Sequence, residues 1–114
     1  MGYRSDVAVA LSKKAAVRLK AKMKAANSDE RYLLDHADIH DIDKSTGQEL
    51  YRWPYVKWYP EYKEVSFIIG FLEELDDSDY LFLRVGEDIG DFERSGEFYE
   101  NVFCLDVAYS IVTI

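Results

Sequence analysis

Disulfide chemistry is the first thing this sequence lacks. Cys104 is the only cysteine in 114 residues. That excludes an internal disulfide and a cysteine-rich zinc site, and it points to a reducing compartment such as the cytoplasm. Long apolar runs are missing too, since no stretch of about 18 apolar residues exists to span a membrane. The opening MGYRSDVAVAL has neither the apolar core nor the cleavage site of a secretion signal, and Asp6 breaks the myristoylation pattern. No phosphate loop, Gly-x-Gly-x-x-Gly turn or Gly-x-Ser-x-Gly elbow occurs. Basic residues are outnumbered, 14 against 22 acids, for a net charge of −8.

What is present is an ample core and a lopsided charge. Hydrophobic residues make up 48% of the chain, with nine Tyr, six Phe and two Trp. Disorder is excluded on that composition, and the length fits one domain, so 1–114 reads as a single α+β domain. Residues 1–24 hold seven basic groups and one acid, whereas 61–114 hold three basic groups and fourteen acids. An acidic chain is repelled by nucleic acid at long range and drawn to basic proteins by the same term.

Periodicity gives the elements. Residues 3–11 alternate as a strand, and Ser12 is a good N-cap for the helix KKAAVRLKAKMKAA, whose buried stripe is Ala16, Leu19, Met23 and Ala26. Asn27-Ser28 ends or kinks that helix. ADIHDID and ELYRWPYVKWY form a hairpin around KSTGQE, with Gly47 at positive φ and Pro54 at an edge or bulge. A second helix follows over 61–75, then the strand YLFLRV, then a continuous alternating strand over 102–112. The order predicts an α+β, ferredoxin-like (βαββαβ) antiparallel sheet, two helices on one face, and an additional C-terminal strand extending it.

Few residues carry site chemistry. In 35-DHADIHDID-43, His36, His40 and the four Asp are metal-ligand types. On a strand they diverge, and the EF-hand spacing is absent, so a solvated charged strand is the first reading and no metal or cofactor is expected. Cys104, in an apolar strand, reads as a small core residue, and no catalytic residues are assigned. The basic helix reads as a solvated face that balances the acidic half. Two features suit partner binding. One is the acidic region, with Asp76, Asp77, Asp79, Glu87, Asp88, Asp91 and Glu93. The other is 51-YRWPYVKWYPEY-62, where Trp53, Tyr55 and Trp58 belong to residue types enriched at interface hot spots, with packing of the run into the core as the equal alternative.

The segments MGYRSDVA, VKWYPEYKEV and LRVGEDIGD resemble small proteins of tailed phages and prophages. These begin MGYRS and carry an R-(I/V)-G-E-D acidic segment near the C-terminus. The basic helix and the ADIHDID hairpin lie outside the likeness. The resemblance implies a phage origin, action in the bacterial cytoplasm and no catalytic residues; it brings no activity with it. The resulting expectation is a non-enzymatic inhibitor of host-takeover or anti-defence type, anti-CRISPR proteins included. Its acids would face a basic, nucleic-acid-binding surface of a host protein, with no direct contact to nucleic acid or membrane. The alternative is an immunity-type or structural accessory protein working through the Tyr/Trp surface, as a homodimer. A metal-dependent enzyme built on His36 and His40 ranks third.

Overall fold

The computed structural model describes residues 2–107 and 111–113. The elements are β1 (Ser5–Leu11), α1 (Lys13–Ala25), α2 (Ser28–Asp35), β2 (Ile39–Ile42), β3 (Glu49–Val56), α3 (Lys63–Glu73), a single 3₁₀ turn (Asp77–Asp79), β4 (Tyr80–Gly86), β5 (Phe92–Gly96), β6 (Leu105–Val107) and β7 (Ile111–Thr113). Strands β1 to β5 form one antiparallel sheet in the order β2-β3-β1-β4-β5, and β6 and β7 form a separate hairpin. The fold is α+β, and among the described residues no helix is long and apolar enough to cross a membrane.

Alternation along β1 divides the interior into two layers. Val7, Val9 and Leu11 point into a core shared with Ala16 and Leu19 of α1, Leu33 and Leu34 of α2, and Val65, Ile68 and Phe71 of α3. Ala8 and Ala10 point the other way, into a smaller cluster with Leu50, Leu81, Leu83, Leu105 and Ile111. The three helices therefore cover one face, and the C-terminal hairpin packs on the other.

Local signals explain most element boundaries. The Ser12 side chain accepts from the Ala15 N–H and opens α1. Asn27 does more than end α1: with Glu30 it forms a reciprocal capping box that starts α2 as a helix of its own. Among the described residues the count is thus three helices, where two were expected. Gly47 does adopt positive φ, 76°. At Pro54 the pairing of β1 with β3 slips, because Ser5 faces Val56 while Val7 faces Trp53, and the expected bulge lies there.

The expected C-terminal strand is corrected. The strand that extends the sheet is β5, drawn from the acidic stretch, and it occupies the free flank of β4. Residues 102–112 do not form one strand. The Asn101 side chain donates to the Phe98 carbonyl and accepts from the Leu105 N–H, and Cys104 sits at φ 50°, so the chain turns just before β6. The alternation expected through Ala108, Tyr109 and Ser110 lies outside the described residues. Cys104 is exposed, not a core residue.

Candidate functional site

Strands β4 and β5, helix α3 and the segment before β1 enclose a cleft of about 470 Å³. Its apolar wall holds Trp58, Pro60, Ile69, Leu72 and Phe82, and its polar groups come from Tyr3, Ser5, Glu73, Arg84, Asp91 and Glu93. A concave, largely apolar site with a few convergent polar groups is the usual form of a binding pocket, and this volume lies within the usual range.

The polar end is built around Arg84 on β4. Its Nη2–H donates to Asp91 Oδ1 at 2.7 Å, its Nη1–H to Ser5 Oγ at 3.1 Å and to Asp91 Oδ2 at 3.3 Å, and its Nε–H to Glu93. The Asp91 hydrogen bond, ahead of the contribution from Glu93, raises the guanidinium above its ordinary value, so it stays cationic. Hydrogen bonds from Arg84 and then Tyr3 hold the Asp91 carboxyl below the usual range. Tyr3 donates to Asp91 Oδ2 at 2.5 Å and accepts from the Asp88 N–H at 2.9 Å. The Asp88 N–H alone would lower the phenol, but the Asp91 hydrogen bond, burial and the two nearby carboxylates outweigh it, and the phenol is raised. The Tyr3 N–H donates to Tyr59 Oη at 2.7 Å, which ties the N-terminal segment across the cleft.

The local sequence is shaped for this cluster. A Cβ on Gly86 would come within 2.1 Å of Asp91 Oδ2 and 2.3 Å of Tyr3 Oη, so only glycine lets the turn approach so closely. Gly90 takes φ 83° and completes the turn into β5.

A second polar group, Glu49, is 2% exposed at the start of β3. It faces His40 Nε2 at 2.7 Å and Lys20 Nζ at 3.1 Å, and Tyr51 Oη donates to it at a marginal 3.5 Å. Burial, then the Glu49 charge, raises the Tyr51 phenol. His40 also stacks on Tyr51, with ring centroids 4.0 Å apart.

The residues singled out from sequence scatter into different roles. Asp76, Asp77, Glu87 and Asp88 are exposed. Asp79 is half-buried and accepts from the Ser12 hydroxyl at 2.9 Å. Asp91 and Glu93 hold Arg84. The expected exposed Tyr/Trp surface is corrected for its tryptophans. Trp53 is 2% and Trp58 7% exposed, both in the helix-side core, and Trp53 Nε1–H donates to the Leu33 carbonyl at 2.8 Å. Trp53 lies on β3, an inner strand whose alternate side chains face the helices, and Trp58, just past β3, packs on Trp53 and Phe82 with ring centroids 5.9 and 5.8 Å apart. Tyr55, at the bulge, is 70% exposed, with Arg4 5.0 Å above its ring. His36 and His40 do not converge: His36 Nδ1 lies 2.8 Å from the Tyr32 carbonyl oxygen, while His40 faces Glu49. Among the described residues no three His, Cys, Asp or Glu side chains gather as a metal-ligand set. The basic helix is partly engaged within the chain, with Lys22 and Arg18 on Glu74 and Lys20 on Glu49.

Sequence reading missed the cleft and the Glu49 cluster. Their members lie up to 88 positions apart, and no local motif joins them. One signal was in view: the three segments that carried the phage resemblance supply Tyr3 and Ser5, Trp58 and Tyr59, and Arg84 and Asp91, all of them cleft residues. No family model, curated protein or solved structure matches the chain.

Proposed function

We propose that this chain is a non-enzymatic, phage-encoded protein that binds a basic bacterial host protein in the cytoplasm and competes with that protein's nucleic acid. This is an inhibitor of host-takeover or anti-defence type, in the manner of anti-CRISPR proteins. The observation that carries the reading is the acidic rim of β5. This strand is the last in the sheet. Asp76 and Asp77 lie exposed at one end, where the Glu97 N–H donates to the Asp77 carbonyl, and Glu87 and Asp88 lie exposed at the other. Exposed Glu93 and Arg94 lie between them, on opposite faces of the strand. The rim spans about 15 Å of strand, long enough to follow a basic groove. Ile89, 99% exposed at the tip of the turn, places an apolar knob among those acids.

The sheet order supports a finer reading of the architecture. With β1 antiparallel to both β3 and β4, the first strands follow a ferredoxin-like arrangement, with α2 inserted and β5 added at the edge. That arrangement supplies a scaffold and no particular activity.

The test reverses Asp76, Asp77, Glu87 and Asp88 to Lys, four exposed acids that do not hold Arg84. Tagged wild type is expected to retain a basic protein from bacterial lysate at low salt, to lose it at high salt, and to displace nucleic acid from it. The reversed protein should fold and retain nothing. Equal capture by the reversed protein would refute the acidic-rim reading.

A further inference from the structure

We infer that the cleft between α3 and β4–β5 receives a guanidinium side chain, an arginine of the basic partner; the inference rests on the proposed partner class and deepens it. The charge of the site selects the ligand. Three carboxylates, Glu73, Asp91 and Glu93, line the cleft against one guanidinium, Arg84. Four of the five N–H groups of Arg84 are already committed to Asp91, Glu93 and Ser5. An anion entering here would meet one remaining N–H and three carboxylates, whereas a cation meets a site of net negative charge.

The carboxylates do not stand alone. Trp58, Tyr59, Tyr80 and Phe82 also line the cleft and offer aromatic surface to a flat cation and its apolar stem. Glu73 on α3 and Glu93 on β5 bring carboxylates into the cleft from two different elements, which suits a planar, multiply donating group. Lysine, with a compact and strongly hydrated ammonium, fits this combination less well. The cleft opens beside the acidic rim of β5, so one arginine could anchor a basic segment whose other charges lie along that rim.

The experiment uses the full chain and N-acetyl-L-arginine amide as probe, followed by amide and indole NMR. Resonances of Trp58, Phe82, Arg84 and Ser95 should shift and saturate in the millimolar range, as befits a fragment-sized ligand. The neutral isostere N-acetyl-L-citrulline amide should bind at least about ten-fold more weakly, and so should the arginine probe on the Glu73→Gln/Glu93→Gln protein. Ser95→Phe, which places a ring in the cleft and removes the 2.8 Å Tyr80–Ser95 hydrogen bond, should abolish binding while the amide spectrum stays that of a folded protein. Equal binding of the citrulline probe, or no shift at these four residues, overturns the inference. If the arginine probe is silent while the four-acid reversal still abolishes partner capture, the cleft assignment falls and the acidic-rim reading stands. If the probe binds and the reversal leaves capture intact, only the rim reading falls.

Discussion

Tyr3 and Asp91 are 88 residues apart in sequence and 2.5 Å apart in space, phenol to carboxylate. That hydrogen bond fastens the segment before β1 to the turn between β4 and β5. The same phenol accepts from Asp88, so one hydroxyl organises both sides of the turn.

Removal of that hydroxyl should loosen the turn before it threatens the fold. Tyr3→Phe keeps the ring but leaves the Asp88 N–H without its acceptor and Asp91 with Arg84 alone. A lower urea midpoint is expected, with faster hydrogen exchange at Asp88 and little change at β1. An unaltered Asp88 exchange rate would show that the turn holds itself.

Acid should act partly through Asp91. Its folded-state value is depressed, so the stability it contributes is present above the unfolded carboxylate range near 4 and fades as pH falls through the folded value. Asp91→Asn cannot titrate. Its melting temperature should be lower than wild type at neutral pH, and it should fall less steeply below about pH 4. Parallel acid profiles for the two proteins would remove Asp91 from the account.

Glu49 is predicted to be the most sensitive carboxylate for stability. Truncation to Ala deprives the buried Tyr51 hydroxyl of its acceptor and parts His40 from its partner. About 2–4 kcal/mol should be lost, against about 1 kcal/mol for His40→Ala, whose ring is partly solvated. Chemical denaturation of both variants decides it, and similar losses would mean that the cluster acts as a surface pair.

The aromatic run should divide sharply by position. Trp53→Ala empties an inner-strand site and should cost about 3–5 kcal/mol, while Tyr55→Ala, only two residues on, should stay within about 0.5 kcal/mol. Thermal melts of the two proteins check this directly. Comparable losses would place Tyr55 in the core as well.

Part of this architecture was legible locally. Ser12 begins a helix because its hydroxyl reaches a backbone N–H three residues on. Gly47 turns because it bears no Cβ, and Val7, Val9 and Leu11 share a face because side chains alternate on a strand. Asn27 was visible too, yet its role as the start of α2 depends on Glu30 reaching back. The C-terminal region misled because clean alternation says that a segment can be a strand but not which sheet it joins. Two determinants lay elsewhere: β5 had taken the place beside β4, and Asn101 and Cys104 turned the chain.

The candidate site divides in the same way. The sequence alone determined that the second half is acidic and that the chain has a core, because net charge and apolar content add along a chain whatever its fold. Tertiary structure alone decided which acids are free. It set Asp91 and Glu93 on Arg84, sent Trp53 and Trp58 inward, and gathered residues from both ends of the chain into one cleft. Those outcomes depend on which strand lies beside which, and strand pairing is fixed by long-range burial that no local pattern contains.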